Sequence, residues 1–433
     1  MKILVACTPA TGHLNPLIAI TKFLIDDGNE VVILSGTAYR RRIEKSGARF
    51  HPLPGEADVD FSHLPDVVPE LADLEPGFDW LRTALEKAFV DKVADQHKGL
   101  LEVLRAFPAE AIISDDMFFG ILPMLLGDRA NRPAVLVCGT SILHWRREDK
   151  APIFLGLPPA STAARFKEYE AIAEEYDARV DQPSLRRLKP VLEKLGVPAL
   201  DFPMFEATVA LADTYLQLSV PGLEFPRPVP SCVKFIGALP MIPGQAPIPS
   251  WAGDLERGRK VVLVTQGTVA NHDFGLLVSP TLAALANEPD ILVVATAGGR
   301  PVDSIPGPIP ENARIAEYLP FEWLLPKVDV LVTNGGYGSV NQALSFGIPI
   351  VAAGLTEDKA DVNTRIGWSG AGIDLKTNQP TSVAIRSAVR TVLDTQDCRR
   401  YAQRLAAEFA SFDARAEVLG LLRTVAGVKA RAA

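Results

Sequence analysis

Short β-branched runs separated by longer amphipathic stretches recur along the chain, and they set the first expectation. In the amino-terminal half the runs are KILVACT (2 to 8), EVVILS (30 to 35), AIISD (111 to 115) and AVLVC (134 to 138). Between the first two, NPLIAITKFLIDDG places Leu17, Ile20 and Leu24 on one helical face, with Asn15 as N-cap, Pro16 at the first helical position and Gly28 closing the end. Strand and helix in alternation predict a parallel sheet covered by helices on both faces. From 221 to 250 the period is lost in PGLEFPRPVPSCVKFIGALPMIPGQAPIPS, where proline stiffens the chain and keeps it out of a sheet interior. The pattern then resumes with KVVLVTQ (260 to 266), DILVVATA (290 to 297), DVLVT (329 to 333) and PIVAAG (349 to 354). The chain is therefore expected to be α/β, with Rossmann-like doubly wound domains at 1–220 and 251–411 and an interdomain linker at 221–250. Residues 160 to 200 read as a charged helical insertion with no legible role.

Composition narrows what such domains do. The 433 residues carry a formal net charge of −8, and no stretch combines clustered Lys and Arg with aromatics, which argues against nucleic acid as a partner. The densest basic run, YRRRIEK (39 to 45), reads as a solvated helix face. No apolar run reaches the roughly 18 residues of a membrane span, and MKILVAC is too short for a secretory signal and reads as a first strand. Cys7, Cys138, Cys232 and Cys398 are scattered, with none at metal-ligand spacing, as expected of free thiols in a reducing compartment. A cytoplasmic monomer or homodimer without stable membrane insertion is expected.

Candidate chemistry concentrates in LVTNGGYGSVNQALSFGIPI (331 to 350). A strand ends at Thr333, NGGYG turns, and SVNQALSF continues as a helix from near Ser339. Amides at a helix start lack partners within the helix, and the helix dipole favours an anion there; a tight crossover turn is the other use for such glycines. The spacing is not GxGxxG, and no GxxxxGK[ST] occurs, which disfavours a nicotinamide Rossmann enzyme or a P-loop ATPase. VTQGTV (264 to 269) similarly leaves a strand through Gly267 into Thr268. Both loops should emerge at the carboxyl edge of the sheet, where two anion-friendly turns suit a diphosphate.

YLPF (318 to 321), TNGGYGSVNQALSFGIP (333 to 349) and GLTEDK (354 to 359), in that order, resemble the nucleotide-sugar signature of the UDP-glycosyltransferase superfamily, particularly its bacterial macrolide-glycosyltransferase-like branch. PATGHLNPL (9 to 17) resembles the superfamily's amino-terminal motif and FIGAL (235 to 239) its interdomain segment. The resemblance implies a GT-B fold, two Rossmann-like domains facing across a cleft, with the C-terminal helix (about 412–433) packing back on the amino-terminal, acceptor-binding domain. It implies donor contacts from Gly336, Gly338 and Ser339 to the diphosphate and from Thr268 to its β-phosphate. Tyr318 stands where the family usually stacks a tryptophan on uracil, the Leu319 backbone reads the base edge, and Glu357 and Asp358 hold sugar hydroxyls. Asn334 replaces a histidine that commonly meets phosphate, Gln342 a glutamate that commonly grips ribose, and Phe321 a frequent glutamine. Ribose contact is expected to be weaker, because neutral hydrogen bonds are weaker than charge-assisted ones.

His13 follows the first strand, in a crevice position. There an imidazole either bonds the helix start or, titrating near neutrality, takes a proton from an attacking hydroxyl. The resemblance implies the second role, with Asp115 as orienting partner; Asp115 and Asp116 each have helix capping as an alternative. Phe61, Trp80, Phe118, Phe119, His144 and Trp145 are candidates for an apolar acceptor pocket, with core packing as the alternative for each. DVD (58 to 60) has carboxylate spacing seen in manganese-dependent sugar transferases but reads as a solvated loop. No metal and no cofactor beyond the UDP-sugar co-substrate is expected, since helix dipoles can stabilise the departing diphosphate. The expected reaction is inverting transfer of a hexose from a UDP-sugar donor to a hydroxyl of a small, largely apolar acceptor of phenolic, polyketide or macrolide type. Its rivals are a sugar-nucleotide epimerase or hydrolase and a non-catalytic nucleotide-sugar-binding auxiliary protein.

Overall fold

Residues Lys2–Ala6 form β1, whose side chains alternate between two apolar clusters, Ile3 and Val5 on one face and Leu4 and Ala6 on the other. Both faces are covered, so an almost continuous apolar run suits a strand here. The computed structural model describes residues 1–62, 64–241, 246–267 and 271–432. With β1, strands β2 (Glu30–Ser35), β3 (Arg49–Pro52), β4 (Ala111–Asp115), β5 (Ala134–Gly139), β6 (Thr214–Gln217) and β7 (Val233–Phe235) make one sheet, ordered β3-β2-β1-β4-β5-β6-β7. A second sheet holds β8 (Lys260–Thr265), β9 (Ile291–Thr296), β10 (Ala313–Ala316), β11 (Val330–Thr333), β12 (Ile350–Ala352) and β13 (Gly372–Asp374), ordered β10-β9-β8-β11-β12-β13. Every pairing is parallel. The expected class, α/β with two doubly wound sheets, holds.

Strand order reverses between β1 and β4 in the first sheet and between β8 and β11 in the second. Successive crossovers there pass to opposite faces, which parts the loops at the carboxyl edge and leaves a crevice. Ile3 and Val5 of β1 and Val261 and Leu263 of β8 feed one apolar cluster, so the two halves share buried surface. Polar contacts join them as well: Gln217 Nε2 donates to the Tyr337 hydroxyl at 2.6 Å and Ser219 Oγ to Asn341 Oδ1 at 2.7 Å.

Two local expectations change. Helix α1 spans Thr11–Asp26 behind an Ala10 cap, so Asn15 and Pro16 lie inside it. Pro16 removes one amide bond, and the carbonyl that loses it belongs to exposed Gly12, where water can satisfy it. Leu17, Ile20 and Leu24 are fully buried, and Gly28 takes φ +81° at the helix end. Within the proline-rich 221–250 segment, Val233–Phe235 joins the first sheet as β7, an edge position that tolerates proline neighbours. The C-terminal helix runs Ala414–Ala432, buries Val418 and Leu422, and lies against α1, β5 and β6, with Arg423 bonded to Asp27 at 2.6 Å. Among the described residues no helix is long and apolar enough to cross a membrane.

Candidate active site

His13 occupies the first turn of α1, far from Asp115 in sequence but adjacent to it in space because β1 and β4 pair. Its Nδ1 lies 3.0 Å from Asp115 Oδ1. Asp115 has no exposed surface and is fixed by Thr8 N at 2.6 Å, Thr8 Oγ1 at 2.9 Å and Met117 N at 3.0 Å. Burial disfavours a charge on His13, yet the carboxylates of Asp115, Asp116 and Asp358 outweigh it and raise the imidazole from 6.5 to about 9. That is well above the near-neutral titration expected from the residue type. With Nδ1 committed to Asp115, the other ring nitrogen is the one placed to exchange a proton.

The loops that leave the second sheet share a device that the sequence showed only in part. β8, β9 and β11 each end in Thr-x-Gly, and the threonine hydroxyl accepts from the glycine amide: Gly267 to Thr265 at 3.1 Å, Gly298 to Thr296 at 3.3 Å and Gly335 to Thr333 at 3.3 Å. Thr296-Ala297-Gly298 was legible as a repeat of that spacing and was missed. The helix after β11 spans Tyr337–Ser345, two residues earlier than expected, and its first ladder bond is Val340 N to Gly336 O at 3.0 Å. The Tyr337, Gly338 and Ser339 amides thus precede the ladder, and Gly336, Gly338 and Ser339 all keep exposed surface. Asn334 is buried and donates to Gln266 O at 3.0 Å, bracing the β11 loop against the β8 loop. Thr268 lies outside the described residues.

Tyr318 is 57% exposed, and its hydroxyl crowds Gly299, where φ is +95° and a Cβ would collide with it. A phenol ring displayed beside a bare backbone is a platform for a flat partner. Leu319 is buried, Phe321 opens a one-turn helix and packs on the core, and Gln342 is half-buried on the Tyr337–Ser345 helix. Glu357 is exposed at φ +57° and pairs with the buried Lys359 ammonium. Asp358, half-buried at the start of the Lys359–Ser369 helix, receives the Ser141 hydroxyl at 2.5 Å from the other domain.

In the first domain a chain of rings runs Phe61, Phe89, Phe119, Phe205, with successive centroids 5.4, 6.1 and 5.2 Å apart, and Phe205 then meets His144 at 4.7 Å and Phe154 at 5.5 Å. Phe89, Phe154 and Phe205 were not among the expected residues. Phe118 and Phe119 have no exposed surface and His144 only 2%, so they back the wall rather than offer it a face; large rings at strand ends are absorbed by the core. Phe61 and Trp80 pack beside Val68 and Leu71, and Trp145 is half-buried under the Arg146 guanidinium. Phe154 adopts φ +67°, rare for a bulky residue, and its amide donates to Asp361 of the second domain.

The DVD carboxylates are engaged locally, Asp58 by Thr37 N and Oγ1 at 2.7 and 2.6 Å and Asp60 by the Tyr39 hydroxyl at 2.7 Å. Among the described residues His13, Asp115 and Asp116 alone have a metal-compatible spacing, and Asp115 is already engaged by Thr8 N, Thr8 Oγ1 and Met117 N.

Residues 281–425 match the family model described as erythromycin biosynthesis protein CIII-like, C-terminal domain. The chain is 38% identical to 4'-demethylrebeccamycin synthase of Lentzea aerocolonigenes over 97% of this chain and 98% of that one. It is 35% identical to UDP-glucosyltransferase A1 of Starmerella bombicola, over 90% and 85% of the two chains. The chain belongs to the UDP-glycosyltransferase superfamily. This glycosyltransferase has the GT-B fold: it superposes on spinosyn rhamnosyltransferase SpnG with a TM-score of 0.70 at 19% identity, covering 97% and 100% of the chains. CalG4, the calicheamicin glycosyltransferase, gives 0.71 at 18% identity, covering 98% of each.

Proposed function

We propose that this glycosyltransferase carries out inverting transfer of a hexose from a UDP-sugar to a hydroxyl of a small, largely apolar natural product of phenolic, polyketide or macrolide type. One observation carries the reading: a histidine held by a fully buried aspartate at the reversal point of one sheet lies within electrostatic reach of Asp358, on the loop after β12 of the other. Relatives named 4'-demethylrebeccamycin synthase and UDP-glucosyltransferase A1 support it.

In this mechanism the acceptor O–H proton passes to the free ring nitrogen of His13 while the oxygen attacks the anomeric carbon from the side opposite the diphosphate. The carbon–oxygen bond to the diphosphate breaks, and the leaving charge faces the Gly338 and Ser339 amides at the helix start. Asp115 steadies the imidazolium that forms. Holding both substrates in line supplies much of the acceleration. Helix amides take the charge, so no metal ion enters the scheme, and buried free Cys7 and Cys138 suit the reducing cytoplasm.

Mass spectrometry of reactions pairing UDP- and dTDP-sugars with phenolic and macrolide acceptors tests this. A hexosylated product from a UDP-sugar, absent in His13→Ala, is expected. A product formed only from dTDP-sugars overturns the nucleotide assignment, and sugar loss without any acceptor overturns the transfer.

A further inference from the structure

Asp116, the residue after Asp115, is also without exposed surface, and it does not cap the helix that follows. Its Oδ1 accepts from the Thr140 hydroxyl at 2.8 Å and the Thr140 amide at 3.3 Å. Its Oδ2 faces the Tyr215 hydroxyl at 3.5 Å and His144 Nδ1 at 3.3 Å. The Thr140 oxygen in turn lies 2.9 Å from His13 Nδ1. A hydroxyl has one proton, and here a carboxylate takes it. The lone pairs of Thr140 are therefore left to accept from the His13 Nδ1–H, which Asp115 also accepts at 3.0 Å.

We infer that Thr140 and Asp116 are positioning residues for the transfer reaction, forming a second, relayed anionic support for the His13 imidazolium alongside direct support from Asp115. The inference rests on His13 acting as the base. No proton leaves Thr140 in the step: the acceptor proton arrives at the far ring nitrogen, Nδ1 keeps its own, and the hydroxyl dipole, aligned by Asp116, turns its oxygen toward the new charge. Burying a second carboxylate beside Asp115 is costly unless it is compensated, and hydrogen bonds from Thr140 with histidines on either side supply that compensation.

Several titratable groups face this cluster. Asp115 and Asp116 come from the end of β4, Cys7 follows β1, Cys138 lies on β5 and Tyr215 on β6. His144 follows β5, and Asp358 comes from the second domain. Burial pushes both thiols and the Tyr215 phenol up, so they stay neutral, and the relay is the part of the field on His13 that a single hydroxyl controls.

The test compares full-length wild type, Thr140→Val, Thr140→Ser and Asp116→Asn. Readouts are the pH profile of kcat/KM for transfer and the His13 ring titration followed by NMR without substrate. Thr140→Val and Asp116→Asn should lower kcat roughly tenfold, a fraction of what acid–base assistance supplies. Both should also move the rising limb and the ring midpoint down by about half a unit or more, and Thr140→Ser should restore both readouts. A Thr140→Val enzyme that is slow with an unmoved midpoint would make Thr140 merely structural, and an unchanged rate and midpoint would remove the relay altogether. The ring titration reads the relay without catalysis, so it stays informative if His13→Ala turns over normally and the base assignment itself fails.

Discussion

Ser141, on the loop after β5, donates its hydroxyl to Asp358, on the loop after β12, at 2.5 Å, closing the cleft with one charge-assisted bond. Asp358 is also the carboxylate proposed to hold a sugar hydroxyl, so a protein hydroxyl occupies a position proposed for the donor. Hydrogen bonds to charged groups contribute about 1.5–3 kcal/mol. Asp358→Ala should therefore raise the donor KM by roughly tenfold or more, whereas Ser141→Ala should lower it or leave it unchanged. Steady-state kinetics in the donor decides the matter: an equal rise in both variants would make Ser141 a donor ligand rather than a competitor.

His13 gives the protein a pH dependence whose sign follows from its shift. The folded-state value is raised to about 9 from 6.5, so the protonated ring stabilises the fold fully below about 6.5, and that contribution is lost as pH rises through 9. Unfolding free energy should fall by on the order of 1–3 kcal/mol across that window, and Asp115→Asn should flatten the slope. Transfer runs the other way, because the base must be neutral: kcat/KM should climb between about pH 7 and 9. Urea titrations at several pH values, set beside the rate profile, check both slopes; parallel slopes would contradict the assignment.

Glu224 and Arg365 form an ion pair across the two domains, with side chains only 5% and 3% exposed and Nη2 to Oε2 at 3.0 Å. Burial works against the Glu224 carboxylate, but Arg365 and Arg227 hold it below the usual range. The same carboxylate accepts from Leu143 N at 3.0 Å, anchoring the loop that carries Ser141 and His144. Removing one partner of a buried pair leaves the other unpaired, at a cost of about 3–5 kcal/mol. Arg365→Met should come out near the low end because Arg227 remains, and adding Glu224→Gln should recover part of the loss. Thermal denaturation of the single and double variants measures it, and strictly additive losses would dismiss the coupling.

Much of the fold was legible because the central strands are buried on both faces and so spell unbroken apolar runs. β3, β10 and β13 were not legible: RFHP, ARIA and GID are short, half-exposed and interrupted by polar residues. β6 was hidden by Thr214 and Gln217, which are buried and polar. His13 and Asp115 could be read because Asp115 closes a strand of strong pattern and His13 lies in the first turn of the helix that follows another. Thr140 and Ser141 could not, since a hydroxyl means nothing until His13, 127 residues away, and Asp358, 217 residues away, are brought beside it. Phe154 and Phe205 were invisible for a similar reason: rings outside strong periodic runs carry no sign of facing one another.

Gly335 is the glycine of the 331–350 stretch that tolerates substitution least. Its φ is +99°, and a Cβ would overlap the side chain of Asn363. That asparagine is not free to move, since its Nδ2 spans Gly354 O at 2.9 Å and Asn334 O at 3.3 Å. The backbone of the turn must yield instead, and with it the Gly338 and Ser339 amides that follow. Gly28 is the control: its φ is +81° and a Cβ there would meet nothing within 4 Å, so Gly28→Ala incurs only the left-handed penalty of about 1–2 kcal/mol. Gly335→Ala should lose that much stability and also weaken UDP binding roughly tenfold or more, because helix-start amides act only when aimed. Calorimetric titration with UDP separates the two variants: donor affinity unchanged in Gly335→Ala would mean that the glycine turn does not aim the amides at the diphosphate.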